Sequence, residues 1–182
     1  MTRITLIDPA DATGQTAEQL AQIKAAFGMV PNMFKAVANS PSALASLWGA
    51  FGALGNGRLG AKLGEQVAVA IADRNDCRYC LAAHTGLGRK AGATAQEMAD
   101  AQAGRSADPR TAAALAFALA VVDKRAGVPA SDVESLRKAG FDDEEIVELI
   151  AHVALNLFTN YVNVALDVPL DFPAVKLTRA TA

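Results

Sequence analysis

Aromatic side chains are scarce in this chain, at 5% of its 182 residues, and charge is modest and nearly balanced. Charged residues make up 20% and leave a formal net charge of −2. Lysine and arginine are scattered rather than clustered, which excludes the basic surface that nucleic acid requires. No run of about 18 uncharged apolar residues is present, so no membrane span is expected. The longest candidate, Val147 to Leu166, carries Glu148, His152 and several asparagines. The opening MTRITLIDPADATG lacks a basic segment followed by an apolar one, so it does not read as a secretory signal. These absences point to a cytoplasmic protein. No segment alternates with period two, and no long linker or low-complexity tract divides the chain, so residues 1–182 read as one domain.

Apolar residues reach 52%, much of it alanine, a composition that favours closely packed helices. The expected fold is all-α, with about eight helices joined by short connections. An extended arm over residues 1–14 is broken by Pro9 and Gly14. Thr16 to Gln19 has capping-box form and should open a helix through Phe27; Asn32 should cap a short helix over 33–38. Ser40-Pro41 starts the next, ending near Leu54. Further helices are expected over Leu59–Asp73, Cys77–Ala91, a segment capped by Thr94 and Glu97, and Arg110–Ala126. Ser131 and Glu134 should cap one more, and Asp142 and Glu145 a long last helix reaching Leu166. Residues 167–182 form an extended tail held by prolines.

The two cysteines of the chain, Cys77 and Cys80, stand in Cys-x-x-Cys spacing, with His84 four residues later and Glu65 twelve residues earlier. In a reducing compartment such a pair is redox-active or metal-binding more often than a staple. With Cys77 in the first turn of its helix, capped by Asp76 or Asn75, the side chains of Cys77, Cys80 and His84 fall within roughly 60° of one another. Unpaired N–H groups at that helix end favour a thiolate. If residues 73–76 reverse the chain tightly, the flanking helices run antiparallel about position 75 and Glu65 approaches His84. A thiol pair, an imidazole and a carboxylate are then together.

Glu65, Cys77, Cys80 and His84, at these spacings within residues 59–92, resemble the core motif of the AhpD-like alkylhydroperoxidases of the carboxymuconolactone decarboxylase superfamily. The length and the closing Asn-Tyr-Val-Asn and Asp-Phe-Pro segments resemble its peroxidase-related members. The resemblance implies an all-helical homo-oligomer, trimeric or hexameric, that reduces peroxides through its thiols. By that resemblance Cys80 is the peroxidatic thiol and Cys77 the resolving one, while Glu65 and His84 carry protons. No bound cofactor is implied; an external dithiol, protein or small molecule, would reset the pair. Tyr79 stands where well-known members place a second histidine, so it enters the site as a weaker relay group.

Other readings of the same residues are a lactone decarboxylase, whose members generally lack the cysteine pair, and a non-enzymatic helical oligomer. In the latter the cysteines are structural or bind zinc with His84 and with Glu65 or His152. No metal is expected on balance, since structural zinc sites prefer more thiolate. A thioredoxin fold is disfavoured by the absence of a βαβ pattern. His152, Asn156, Asn160 and Asn163 share the last helix and read as core or subunit-interface groups. Trp48 and Phe51 read as packing residues; Met29, Met33 and Phe34 read as core, with a cavity lining as the alternative.

Overall fold

Small side chains at Ala68, Ala70 and Ala72 let the helix over Ala61–Arg74 sit in the middle of the molecule, buried from Gln66 through Asp73 on every face. A computed structural model describes residues 2–178. Met1 of the expected arm and residues 179–182 of the expected tail lie outside the described residues. Among the described residues there are nine helices and no strand. In order they are α1 (Gly14–Phe27), α2 (Asn32–Val37), α3 (Pro41–Gly55), α4 (Ala61–Arg74), α5 (Arg78–Lys90), α6 (Ala95–Gln102), α7 (Pro109–Asp123), α8 (Ala130–Lys138) and α9 (Asp143–Ala165). Helix α4 packs against α5, α6, α7 and α9. None of the helices is long and apolar enough to cross a membrane.

Several helix starts follow the sequence signals. Ser40 Oγ accepts from the Ala43 N–H at 3.2 Å, and both Thr94–Glu97 and Asp142–Glu145 form reciprocal capping boxes. Two expected capping boxes do not form. Helix α1 begins at Gly14 behind Thr13, because the Asp8–Asp11 turn delivers the chain one turn before Thr16. Helix α8 begins at Ala130, since Pro129 supplies a fixed φ of −70° ahead of Ser131. Pro31 rather than Asn32 precedes α2. The Asn32 N–H instead donates to Asp171 Oδ2 in the tail at 2.5 Å. Helix α7 stops at Asp123, where Arg125 and Ala126 turn left-handed.

Asp73, expected at the start of the reversal over 73–76, is buried within α4 and holds distant segments together. Its carboxylate accepts from Gln102 Nε2 at 2.8 Å and from the backbone N–H and hydroxyl of Thr178. The arm is pinned as well: the Arg3 N–H donates to the Leu166 carbonyl and the Ile7 N–H to that of Lys35.

The reversal between α4 and α5 is what builds the site. Asp76 takes a φ of 55°, and the Cys77 N–H donates back to the Ala72 carbonyl at 2.9 Å. The two helices then run antiparallel at close range. A Cβ at Gly88 would run into the Met98 thioether and lie 3.3 Å from Glu65 Cβ, so glycine sets the distance at which Glu65 faces α5. Gly88→Ala is therefore expected to cost about 1–3 kcal/mol in urea denaturation through overpacking. Unchanged stability would mean that Met98 yields freely.

Candidate active site

The first turn of α5 is organised by sulfur. Cys77 is itself the N-cap residue, correcting the expectation of Asp76 or Asn75 in that role, and its Sγ accepts from the Cys80 N–H at 3.3 Å. Both cysteines are free thiols, and both are buried, at 1% and 2% exposure. The helix-end N–H thus serves Cys77. Cys80, one turn further in, is held by side chains.

Behind Cys80 the carboxylate and imidazole meet as the helix register requires: His84 Nδ1–H donates to Glu65 Oε2 at 2.7 Å. Burial opposes the charged ring, but the Glu65 carboxylate outweighs it and holds the His84 pKa above its ordinary value. From α9, Asn163 Nδ2 donates to Cys80 Sγ at 3.2 Å. Asn160 stands beside it, with Oδ1 accepting from Asn75 Nδ2 at 3.0 Å. Both asparagines are buried, which agrees with the core placement offered from sequence and not with the subunit interface, and Asn163 reaches the Cys80 sulfur.

Burial by itself raises the Cys80 thiol. The Cys77 thiol, the His84 charge and the two carboxamides overcome that penalty and lower it to about 7. Cys77 moves the other way, held protonated first by its hydrogen bond to Cys80 and then by burial. At pH 7 about half of Cys80 is then thiolate, against about 3% for an ordinary cysteine. Alkylation of Cys80 is accordingly expected to rise with pH about a midpoint near 7. In Asn163→Ala the midpoint should move upward, because a donor to the anion is gone. A midpoint left in place would remove Asn163 from the site.

Tyr79 borders the same apolar space as Cys80. Its hydroxyl accepts from the Met33 N–H at 3.2 Å, and its ring meets Phe172 edge-on with centroids 5.6 Å apart. Burial and then the Asp171 charge raise the phenol far above its ordinary value, against the Met33 N–H. Such a group anchors α2 and the tail rather than exchanging protons near neutrality.

Two cavities flank His84. One, of about 40 Å³, is apolar and lies against Cys80, with Phe27, Met33, Phe34, Phe51 and Phe172 among its walls. Met33 and Phe34 are thus both core and cavity lining, while Met29 is half exposed at the surface. Trp48 and Phe51 pack on Phe34, with ring centroids 6.0 and 5.7 Å away. The other cavity, of about 130 Å³, is bordered by Glu65, His84, His152 and Asn156. Gly64 leaves room there for the imidazole of His152, whose Cε1 would lie 3.3 Å from a Cβ at that position. Burial lowers the His152 pKa, so this second ring favours its neutral form. Among the described residues no three His, Cys, Asp or Glu side chains are grouped to hold one metal ion.

Residues 41–124 match the model of the carboxymuconolactone decarboxylase family. A peroxidase-related protein of uncharacterized function from Silicibacter sp. TM1040 has 27% identity and a TM-score of 0.81, the match covering 92% of this chain and 91% of that one. A second, described as an alkylhydroperoxidase AhpD core from Ralstonia eutropha JMP134, has 24% identity and a TM-score of 0.85 over 93% and 92% of the chains. The debrominase Bmp8 shares the fold at 20% identity and a TM-score of 0.80, over 94% and 93%. No protein of curated function matches the chain.

Proposed function

The chain belongs to the AhpD/carboxymuconolactone decarboxylase superfamily, and from that premise we propose that it is a dithiol peroxidase. The observation that carries this reading is the setting of Cys80: a thiol lowered to about 7, beside a second thiol and backed by the His84–Glu65 pair. The Cys80 thiolate attacks the O–O bond of a peroxide. An S–O bond forms, the O–O bond breaks, and the departing oxygen takes a proton from the His84 imidazolium. Glu65 stabilises that imidazolium beforehand. Cys77, deprotonated, then attacks the sulfenic sulfur of Cys80; the S–S bond forms and the hydroxyl leaves as water with one proton. Two electrons have passed from the thiols to the peroxide, and an external dithiol returns them.

Turnover with hydrogen peroxide and an organic hydroperoxide, using dithiothreitol as donor, tests this reading. The apolar wall of the Cys80 cavity favours the organic hydroperoxide. The same aromatic lining supports a second reading, thiol-driven dehalogenation of an aromatic halide, which turnover of an aryl bromide without peroxide would reveal.

Assembly belongs to the proposal too. Val147, Ala154 and Tyr161, with Ile150 and Leu157, recur at seven-residue spacing along the outer face of α9, and all but the half-buried Leu157 are exposed. Pairing with a second copy would cover this stripe. Tyr161→Asp is expected to lower the mass measured by sedimentation, and an unchanged mass would remove the stripe from the interface.

A further inference from the structure

The two thiols border different spaces. Cys80 lines the apolar cavity, whereas Cys77 lines a separate groove of about 360 Å³ bounded by Asp76, Arg78, Asn163, Asp167 and Leu170. Two left-handed turns, at Asp76 with φ 55° and at Asp167 with φ 50°, shape its ends. Asp76, Arg78, Asn163 and Asp167 beside Val168, Pro169 and Leu170 give it a mixed lining, which suits a small, water-soluble organic molecule better than a peroxide tail. Cys77 is only 1% exposed at the edge of the groove, which leaves its sulfur out of reach of a rigid protein surface. Asn163 lines the groove and touches the Cys80 sulfur as well. Its Nδ2 donates to Cys80 Sγ, while its buried Oδ1 has no hydrogen-bond partner and is left to accept from an S–H donor.

We propose that, once oxidised, the pair is reopened from this groove by a slender organic thiol that attacks Cys77 rather than Cys80. The inference rests on the dithiol reading above. The incoming thiolate forms a bond to Cys77 Sγ, the Cys77–Cys80 bond breaks, and the electron pair leaves on Cys80 as thiolate. A second thiol then attacks the sulfur of the bound molecule, releasing its disulfide and Cys77, which takes up a proton. Leaving-group chemistry agrees with access. Attack at Cys77 expels the thiolate that Asn163 and His84 stabilise, and attack at Cys80 would expel the one that stays protonated. Oxidant and reductant thus approach from different spaces, the apolar cavity beside Cys80 and the groove beside Cys77 at the start of α5.

Regiochemistry can be read directly because Arg78 lies between the cysteines. The protein is oxidised with diamide, so that disulfide formation does not depend on its handling of peroxide, then exposed briefly to 2-mercaptoethanol. Acid quenching, alkylation with N-ethylmaleimide and trypsin give a Cys77 peptide ending at Arg78 and a Cys80 peptide beginning at Tyr79. The adduct is expected on Cys77 and the alkyl cap on Cys80, in an excess of about tenfold over the reverse. An adduct on Cys80, an even distribution, or failure of diamide to join the pair would overturn the proposal. Leu170→Trp, which narrows the groove, is expected to slow reduction by 2-mercaptoethanol severalfold; an undiminished rate would exclude the groove as the route. Failure of peroxide alone to form the disulfide would count against the peroxidase reading and leave this one standing.

Discussion

Replacement of Cys80 by serine is expected to abolish peroxide turnover, whereas Cys77→Ser should still support one oxidation per chain. The asymmetry follows from the setting of each sulfur. Cys80 borders the apolar cavity and is stabilised as an anion by Asn163 and His84. Cys77 caps the helix, remains protonated and lies outside that cavity. A serine at position 80 has no accessible anion near neutrality, so the fall should reach the background rate of the reductant. A serine at position 77 keeps a hydroxyl where the thiol helps to stabilise the Cys80 anion, so the first step persists, but it removes the partner that turns a sulfenic acid into a disulfide. Rapid-mixing assays with one equivalent of peroxide would show a single burst in Cys77→Ser and none in Cys80→Ser. A burst in Cys80→Ser alone would reverse the two roles.

Glu65→Gln should lower kcat/KM by about 10²-fold, within the range of general acid–base contributions. The carboxylate touches neither thiol; it acts through His84, whose Nδ1–H it accepts at 2.7 Å. Activity in this scheme needs Cys80 deprotonated and His84 protonated, so the pH profile is a bell. Its rising limb lies near pH 7, where Cys80 ionises. Its falling limb follows His84, whose pKa Glu65 keeps above the ordinary value. With glutamine in place, the His84 pKa falls and the falling limb moves to lower pH. The rising limb moves up as Cys80 loses the imidazolium charge. The bell narrows from both sides and its height collapses, an effect that lost packing alone would not produce. A profile of reduced height and unchanged limbs would assign Glu65 a purely structural part.

Much of this site was legible in the sequence because its groups are local. Glu65, Cys77, Cys80 and His84 lie on two helices joined by a tight reversal, and the antiparallel register carried Glu65 to His84 without knowledge of the rest of the fold. Asn163 was not legible: it is 83 residues from Cys80, and an asparagine in a helix carries no mark of a sulfur partner. His152 was hidden for the same reason, since its cavity depends on the missing side chain of Gly64 on another helix. Tyr79 was legible as a neighbour of the thiols from its position between them, but its partners were not. Its hydroxyl meets the Met33 N–H on α2 and its ring meets Phe172 in the tail, 46 and 93 residues away in the chain. The failed capping boxes at Thr16 and Ser131 show neighbouring geometry overriding a local signal, through the Asp8–Asp11 turn and Pro129.

Titration of the fully reduced protein with peroxide, followed by intact mass and free-thiol count, tests the redox pair most directly. One equivalent is expected to consume both thiols and lower the mass by two hydrogens, with the tryptic peptides of Cys77 and Cys80 joined by a disulfide. Retention of both free thiols through an excess of peroxide would contradict it.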